Sequence, residues 1–220
     1  MTTNRTRADT ARLALLEAIL PHAAFDGWNE ASLAAAAKDA GMSTGEVQLY
    51  LTGGVLDLIG FWSLELDRQA RDSIEEVDLA AMKVRERVTF AVRQRLEAIG
   101  PDEEVARKAR ARLLLPDAAG LGAKLVWNTS DMIWRALGDP STDFNFYTKR
   151  MTLSAVYTSS LSAWLADMSG DKAEAAAFLD RRIGNVMQFE KVKAQVRKAA
   201  SGLPDPAGLL AKLRYGLGRS

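Results

Sequence analysis

Residues 30–51 read EASLAAAAKDAGMSTGEVQLYL, and the reading of this stretch decides the fold. The Ala-rich run 31–37 is good helix former. The segment AGMS at 40–43 then interrupts helical periodicity with a glycine, and a second short helix follows at 44–51. Upstream, a helix of about 6–24 leads into Gly27–Trp28, and downstream a long helix starts near 55. Two helices joined by a four-residue turn containing glycine form the helix-turn-helix pattern.

The rest of the 220-residue chain is of the same kind. It is 48% hydrophobic and 26% charged, an ordinary globular balance with ample core material. Ala, Leu and Arg dominate, Pro is scarce and β-branched runs are absent, which predicts an all-α bundle of about nine or ten helices. Turn signals fall at 21–29, 41–45, 52–54, 100–102, 116–122, 138–141, 169–171 and 199–206. The absence of cysteine excludes disulfides, thiolate metal sites and Cys nucleophiles, and the single histidine, His22, excludes any site needing two. No stretch approaches 18 uncharged apolar residues, the length of a membrane span. The N-terminus lacks the order of a signal peptide. Its arginines and lack of early acids are transit-peptide features, but Leu13, Leu16, Ile19 and Leu20 make a helix stripe that Pro21 ends, so a structural first helix is expected.

The helix-turn-helix is similar to the N-terminal domain of tetracycline-repressor-like regulators, in which such a turn introduces the recognition helix. Charge argues against DNA. Between Lys38 and Arg68 there is no Lys, Arg or His, while Asp39, Glu46, Asp57, Glu65 and Asp67 supply carboxylates; a recognition helix needs cations against phosphate. Those regulators usually carry a Tyr in the helix and a Lys just after it, where Gln48 and Gly54 stand here. The scaffold is expected without its nucleic-acid function. A regulator remains the alternative, with Arg5, Arg7 and Arg12 as the cations it would need.

Residues 138–157 read GDPSTDFNFYTKRMTLSAVY. Gly138 and Pro140 end one helix; Ser141 and Thr142 are N-cap types, and Asp143 places a carboxylate in the first turn of the next. Trp134, Gly138–Asp139, Ser141–Thr142–Asp143, Asn145, Tyr147–Thr148, Arg150, Tyr157 and Trp164 together resemble the coenzyme Q (ubiquinone) biosynthesis accessory proteins, the ninth protein of that pathway. The likeness extends more weakly over 11–198, with Phe146 where the family often has Trp. The resemblance implies a tetracycline-repressor-like homodimer that does not read DNA. It further implies an apolar cavity for isoprenoid quinone precursors and a di-iron hydroxylase as partner.

Beside that resemblance, the residues themselves offer candidates. Asp143, Phe146, Tyr147 and Arg150 fall on one helix face, with Asn145 adjacent. They suit either a structural corner or a docking patch with aromatic anchors. For a lipid cavity the candidates are Leu113, Leu114, Leu115, Trp134, Met151, Ala155, Leu161 and Trp164, mixed with Ser154, Thr158 and Ser162; ordinary tight packing is the alternative. After AASGLPDP (199–206) comes AGLLAKLRYGLGRS (207–220). Leu209, Leu210, Leu213 and Leu217 share one face, flanked by Lys212, Arg214 and Arg219, and Arg181, Arg182, Lys191, Lys193, Arg197 and Lys198 precede them. This is the pattern of an interfacial membrane helix, or of one that packs back on the body or on a second subunit. His22 is expected as a helix-end contact. No P-loop, nucleophile elbow or His-plus-carboxylate helix pair is present, so neither a catalytic residue nor a metal site is expected.

The expected layout is a degenerate helix-turn-helix (1–55), a lipid-binding bundle (56–198), a linker (199–206) and a membrane-associating helix (207–220). The expected role is non-catalytic: binding an isoprenoid or quinone-like lipid and presenting it to a hydroxylase. The expected location is the bacterial cytoplasm, peripheral on the inner face of the cytoplasmic membrane.

Overall fold

The computed structural model describes residues 5–118 and 120–201, with side chains as far as residue 188. Over these residues the chain is all helix, as its composition implies. The elements are α1 (Arg7–Asp26), α2 (Glu30–Asp39), α3 (Thr44–Tyr50), α4 (Val55–Glu75), α5 (Val84–Glu97), α6 (Glu103–Leu113), α7 (Leu121–Ala136), α8 (Phe144–Ala166) and α9 (Ala173–Ser201), with a 3-10 turn at Pro116–Ala118. The expected helix of 207–217, with its face of Leu209, Leu210, Leu213 and Leu217, lies outside the described residues. Helix α9 takes in 199–201, the first residues of the segment expected as linker.

Helices α2 and α3 form the expected helix-turn-helix, each held by its cap. Asn29 Oδ1 accepts from Ser32 N at 2.9 Å to start α2. At α3, Ser43 Oγ accepts from Glu46 N at 3.3 Å while Ser43 N donates back to Glu46 Oε2 at 2.9 Å, a reciprocal capping box. Glu46, a carboxylate in the would-be recognition helix, thus has a local structural task. Trp28 joins this unit to the bundle: its Nε1 donates to the Val105 carbonyl at 3.1 Å, and its ring lies 5.6 Å from that of Trp62. His22, expected at the end of the first helix, lies within α1, and its Nε2 meets Asp39 Oδ2 at the end of α2 at 2.7 Å.

Two breaks differ from the expectation. Pro21 sits inside α1, which runs on to Asp26 and ends at Gly27, φ +80°. The prolyl ring costs a helix roughly 3 kcal/mol, and burial of Ile19 and Ala23, both 0% exposed, outweighs it. The second is a loop at 76–83 that no glycine or proline announces. It is held by side chains instead: Asp78 Oδ1 accepts from Ala80 N at 2.9 Å, and Arg87 donates to the carbonyls of Met82 and Ala80 at 2.9 and 3.2 Å. Beyond it α4 packs on α5 and α7, α7 on α8, and α8 on α9, around a core that includes Leu58, Ile74, Val92, Leu96, Ile133 and Leu179.

Candidate functional site: an apolar cavity and an exposed face on α8

Small residues on α6 and α8 leave space where these helices face α4, α5 and α7. Ala106, Ala109, Ser154, Ala155 and Thr158 stand opposite Ile59, Trp62, Leu66, Ile99, Val126 and Trp127, around a cavity of about 850 Å³. That volume falls in the ordinary range for a small-molecule site. One end is open: Leu114 is 85% and Met151 65% exposed, and both line the cavity. Elsewhere on the wall Ile59, Trp62, Ala109, Thr129 and Tyr157 are buried.

Part of the wall is polar. Arg95 Nε donates to Asp67 Oδ1 at 2.5 Å, and Thr129 Oγ1 donates to the same oxygen at 2.8 Å. The Arg95 guanidinium lies 5.7 Å from the centre of the Tyr157 ring. Burial pushes the Asp67 carboxyl above its ordinary pKa, against the opposing pull of Arg95 and Thr129, and pushes the Tyr157 phenol up as well. For Arg95, burial opposes the charge, but Tyr157 and Asp67 more than offset it and hold the guanidinium protonated.

Of the expected cavity residues, Leu113, Leu114, Met151, Ala155 and Leu161 lie on the wall, as do Ser154 and Thr158. Trp134, Trp164, Leu115 and Ser162 do not. Trp134 is half-buried under Lys149, whose Nζ stands 5.3 Å from its ring, and Trp164 is buried beneath Lys172 at 5.9 Å. Both belong to the packing between helices. Unforeseen as wall residues were Trp62, Arg95, Trp127, Thr129 and Tyr157; Arg95 stands in the charged run VRQRLE (92–97), where nothing local sets it apart from Arg93.

The start of α8 also differs from its reading. Asp143 is itself the N-cap, its Oδ1 accepting from Asn145 N at 2.9 Å, while Ser141 donates to Asp139 Oδ1 at 2.9 Å. The face expected from Asp143, Phe146, Tyr147 and Arg150 divides. Arg150 turns inward and is 2% exposed: its Nε bonds Asp131 Oδ1 at 2.6 Å, and its guanidinium stacks 3.4 Å from the Phe146 ring centre. Arg150 also reaches Asp139 Oδ2 and the Phe146 carbonyl, at 3.4 and 3.2 Å. It therefore holds the α7–α8 corner and presents no surface to a partner. The outward face is Phe144, Tyr147 and Met151, which are 79%, 58% and 65% exposed. Asp143 and Asn145 are exposed beside them, and Phe146, half-buried, meets Tyr147 edge-on at 5.2 Å. Tyr147 lies 6.3 Å from Trp127 on the cavity wall, and Met151 belongs to both features, so the exposed face adjoins the cavity mouth. Among the described residues, no group of three or more His, Asp or Glu is placed to hold a metal ion.

Fold and site define an all-α protein of the tetracycline-repressor type with an apolar cavity inside its bundle. A TetR transcriptional regulator from Nitrosomonas europaea superposes with a TM-score of 0.64 at 19% identity, over 80% of this chain and 97% of that one. The COQ9 family model matches residues 119–190, α7 through most of α9, a stretch that includes the run 134–167 on which the resemblance was read. It is similar to the mitochondrial ubiquinone biosynthesis protein COQ9 of rat, 28% identical over 86% of this chain and 62% of that protein. The human protein is 27% identical over 86% of this chain and 61% of its own length, and that of Xenopus tropicalis 30% over 83% and 59%. The chain thus spans about 60% of the length of these relatives. All three are named as mitochondrial proteins, which overturns the expectation of a bacterial cytoplasmic location.

Proposed function

We propose that this chain is a non-catalytic accessory protein of ubiquinone biosynthesis that binds isoprenoid quinone precursors and presents them to a partner hydroxylase. The observation that carries the reading is the cavity of about 850 Å³, whose mouth adjoins the exposed Phe144–Tyr147–Met151 face, in a chain similar to COQ9 proteins. An apolar lumen suits an isoprenoid tail, which needs volume and no charged ligand. An aromatic face with polar neighbours suits a docking surface, and its place at the rim would set a partner where the lipid leaves. The chain would work as a homodimer. The Leu face of 207–217 would engage a bilayer, since four leucines flanked by basic residues favour an interfacial position.

The test is mass spectrometry of an organic extract from protein purified without detergent. Stoichiometric isoprenoid or quinone-like lipid is expected, absent from a matched Ala109→Trp preparation in which the indole occupies the lumen. An extract with no more lipid than an unrelated protein prepared alongside rules out the carrier role.

A further inference from the structure

A lumen that held only hydrocarbon would gain nothing from a buried ion pair, since replacing such a pair by apolar residues is often neutral or stabilising. Yet Arg95, Thr129 and Tyr157, 3%, 1% and 4% exposed, line this lumen. Their hydrogen-bonding capacity is unevenly used. Asp67 Oδ1 already takes both the Arg95 Nε and the Thr129 hydroxyl. The terminal nitrogens of Arg95 make one long contact, 3.4 Å to Ser63 Oγ, and Ser63 also lines the cavity. The Tyr157 hydroxyl has no hydrogen-bond partner among the described residues. Arg110, also on the wall, donates to Ser162 Oγ at 2.9 Å and has no carboxylate partner among the described residues. The wall therefore offers unused donors and a net positive charge among the described residues, because Asp67 cancels Arg95 while Arg110, partly exposed and one helical turn from Leu114, has no such partner. Arg110 also favours the charged form of Tyr157, so the two groups feel one another.

We infer that the buried Arg95–Tyr157 stretch of the wall recognises a lipid head bearing acceptor oxygens, such as the carbonyl or phenolic oxygens of a substituted ring. The tail takes the apolar remainder of the lumen. A cationic head is disfavoured, since it would meet the buried guanidinium of Arg95 where little water screens it. The inference rests on the cavity being a lipid site, and it assigns the specificity of that site to these buried polar groups.

The test uses the full chain, Nile red as reporter and two displacing probes of one shape. One is para-hexylacetophenone, which carries a carbonyl; the other is para-hexylcumene, in which an isopropyl group replaces the acetyl. Two proteins are compared with the parent: Tyr157→Phe, which removes only the hydroxyl, and Asp67→Asn with Arg95→Met, which removes both charges together. The ketone is expected to bind about 5- to 10-fold more weakly to each, the ordinary worth of one or two hydrogen bonds. The cumene should keep its affinity or gain, which also reports that the lumen is intact. Unchanged ketone binding, or equal losses for both probes, overturns the inference and leaves the lipid reading standing. Failure of both probes to displace the dye from the parent overturns the two together.

Discussion

At the scale of single residues, buried charge does most of the structural work. Arg150 bonds Asp131 and stacks on Phe146, and Asp139, its side chain 2% exposed, also takes Lys149 at 2.6 Å and Ser141 at 2.9 Å. Arg150→Ala leaves Asp139 to Lys149 and Asp131 to Arg135 but removes a buried side chain with its charged hydrogen bonds and its stacking on Phe146, so it is expected to cost about 2–4 kcal/mol, a fall in Tm of roughly 4–16 °C for a chain of this size. A thermal melt checks this; a variant that melts with the parent contradicts the corner's role. Asp167 titrates to a separate end. Ser169 and the Ala175 amide bind its carboxylate ahead of α9, at 2.5 and 3.0 Å, and hold its pKa down at about 2. A pKa depressed by folding adds stability above the unfolded value of 3.8 and loses it as pH falls to about 2. Asp167→Asn should therefore melt a few degrees below the parent at pH 7, with the gap closing between pH 4 and 2. Gly54 settles a smaller point. It has φ +59°, and a Cβ there would lie 2.7 Å from Glu30 Oε1, so the lysine usual in tetracycline-repressor-like regulators would be strained at this position.

At the scale of elements, the spacing of small residues on α6 and α8 makes the lumen, and the opening turns of α8 make its rim. Phe144 and Tyr147 contribute little to the core, so Phe144→Ala with Tyr147→Ala should leave Tm within a few degrees. If the proposed role holds, binding to a partner hydroxylase should weaken by at least tenfold, since exposed aromatic anchors carry a disproportionate share of interface energy. Titration of labelled protein against the hydroxylase reads this directly; equal affinities would show that the face is not the docking surface. The helix-turn-helix shows how cations near such an element can be taken up inside the fold. Arg5 is bound to Glu65 at 3.0 Å, and Arg12 donates to the Tyr50 carbonyl at 2.9 Å, so two of the three cations a DNA-binding reading would call on are engaged within the protein.

At the scale of the whole molecule, the proposed role requires lipid entry and release to be coupled to a surface where a lipid can be found. Leu114 and Met151 on the cavity wall are exposed, and the exposed Phe144 and Tyr147 stand beside Met151 at the start of α8. The basic residues of 181–198 precede a leucine-rich segment at 207–217. Deleting 207–220 is expected to lower binding to vesicles of anionic phospholipid severalfold while leaving the melting curve of the bundle unchanged. Co-sedimentation at low and high salt checks it; undiminished binding would place membrane contact on the bundle instead.

Helical periodicity, the glycine turn at 40–43 and the run at 134–167 settled the fold class and the relationship before any coordinates, because those signals are local and each residue type carries its own preference. Five of the candidate wall residues, Leu113, Leu114, Met151, Ala155 and Leu161, were legible in the same way, as apolar positions at helical spacing. Pro21 and the loop at 76–83 were misread because distant burial and side-chain hydrogen bonds overrode local propensity there. The inward turn of Arg150, the exclusion of Trp134 and Trp164 from the lumen, and the meeting of Asp67, Arg95, Thr129 and Tyr157 were decided only by the tertiary structure. Those four residues come from four different helices, and only the packing of those helices brings Arg95, Thr129 and Tyr157 to one cavity wall with Asp67 bonded to two of them.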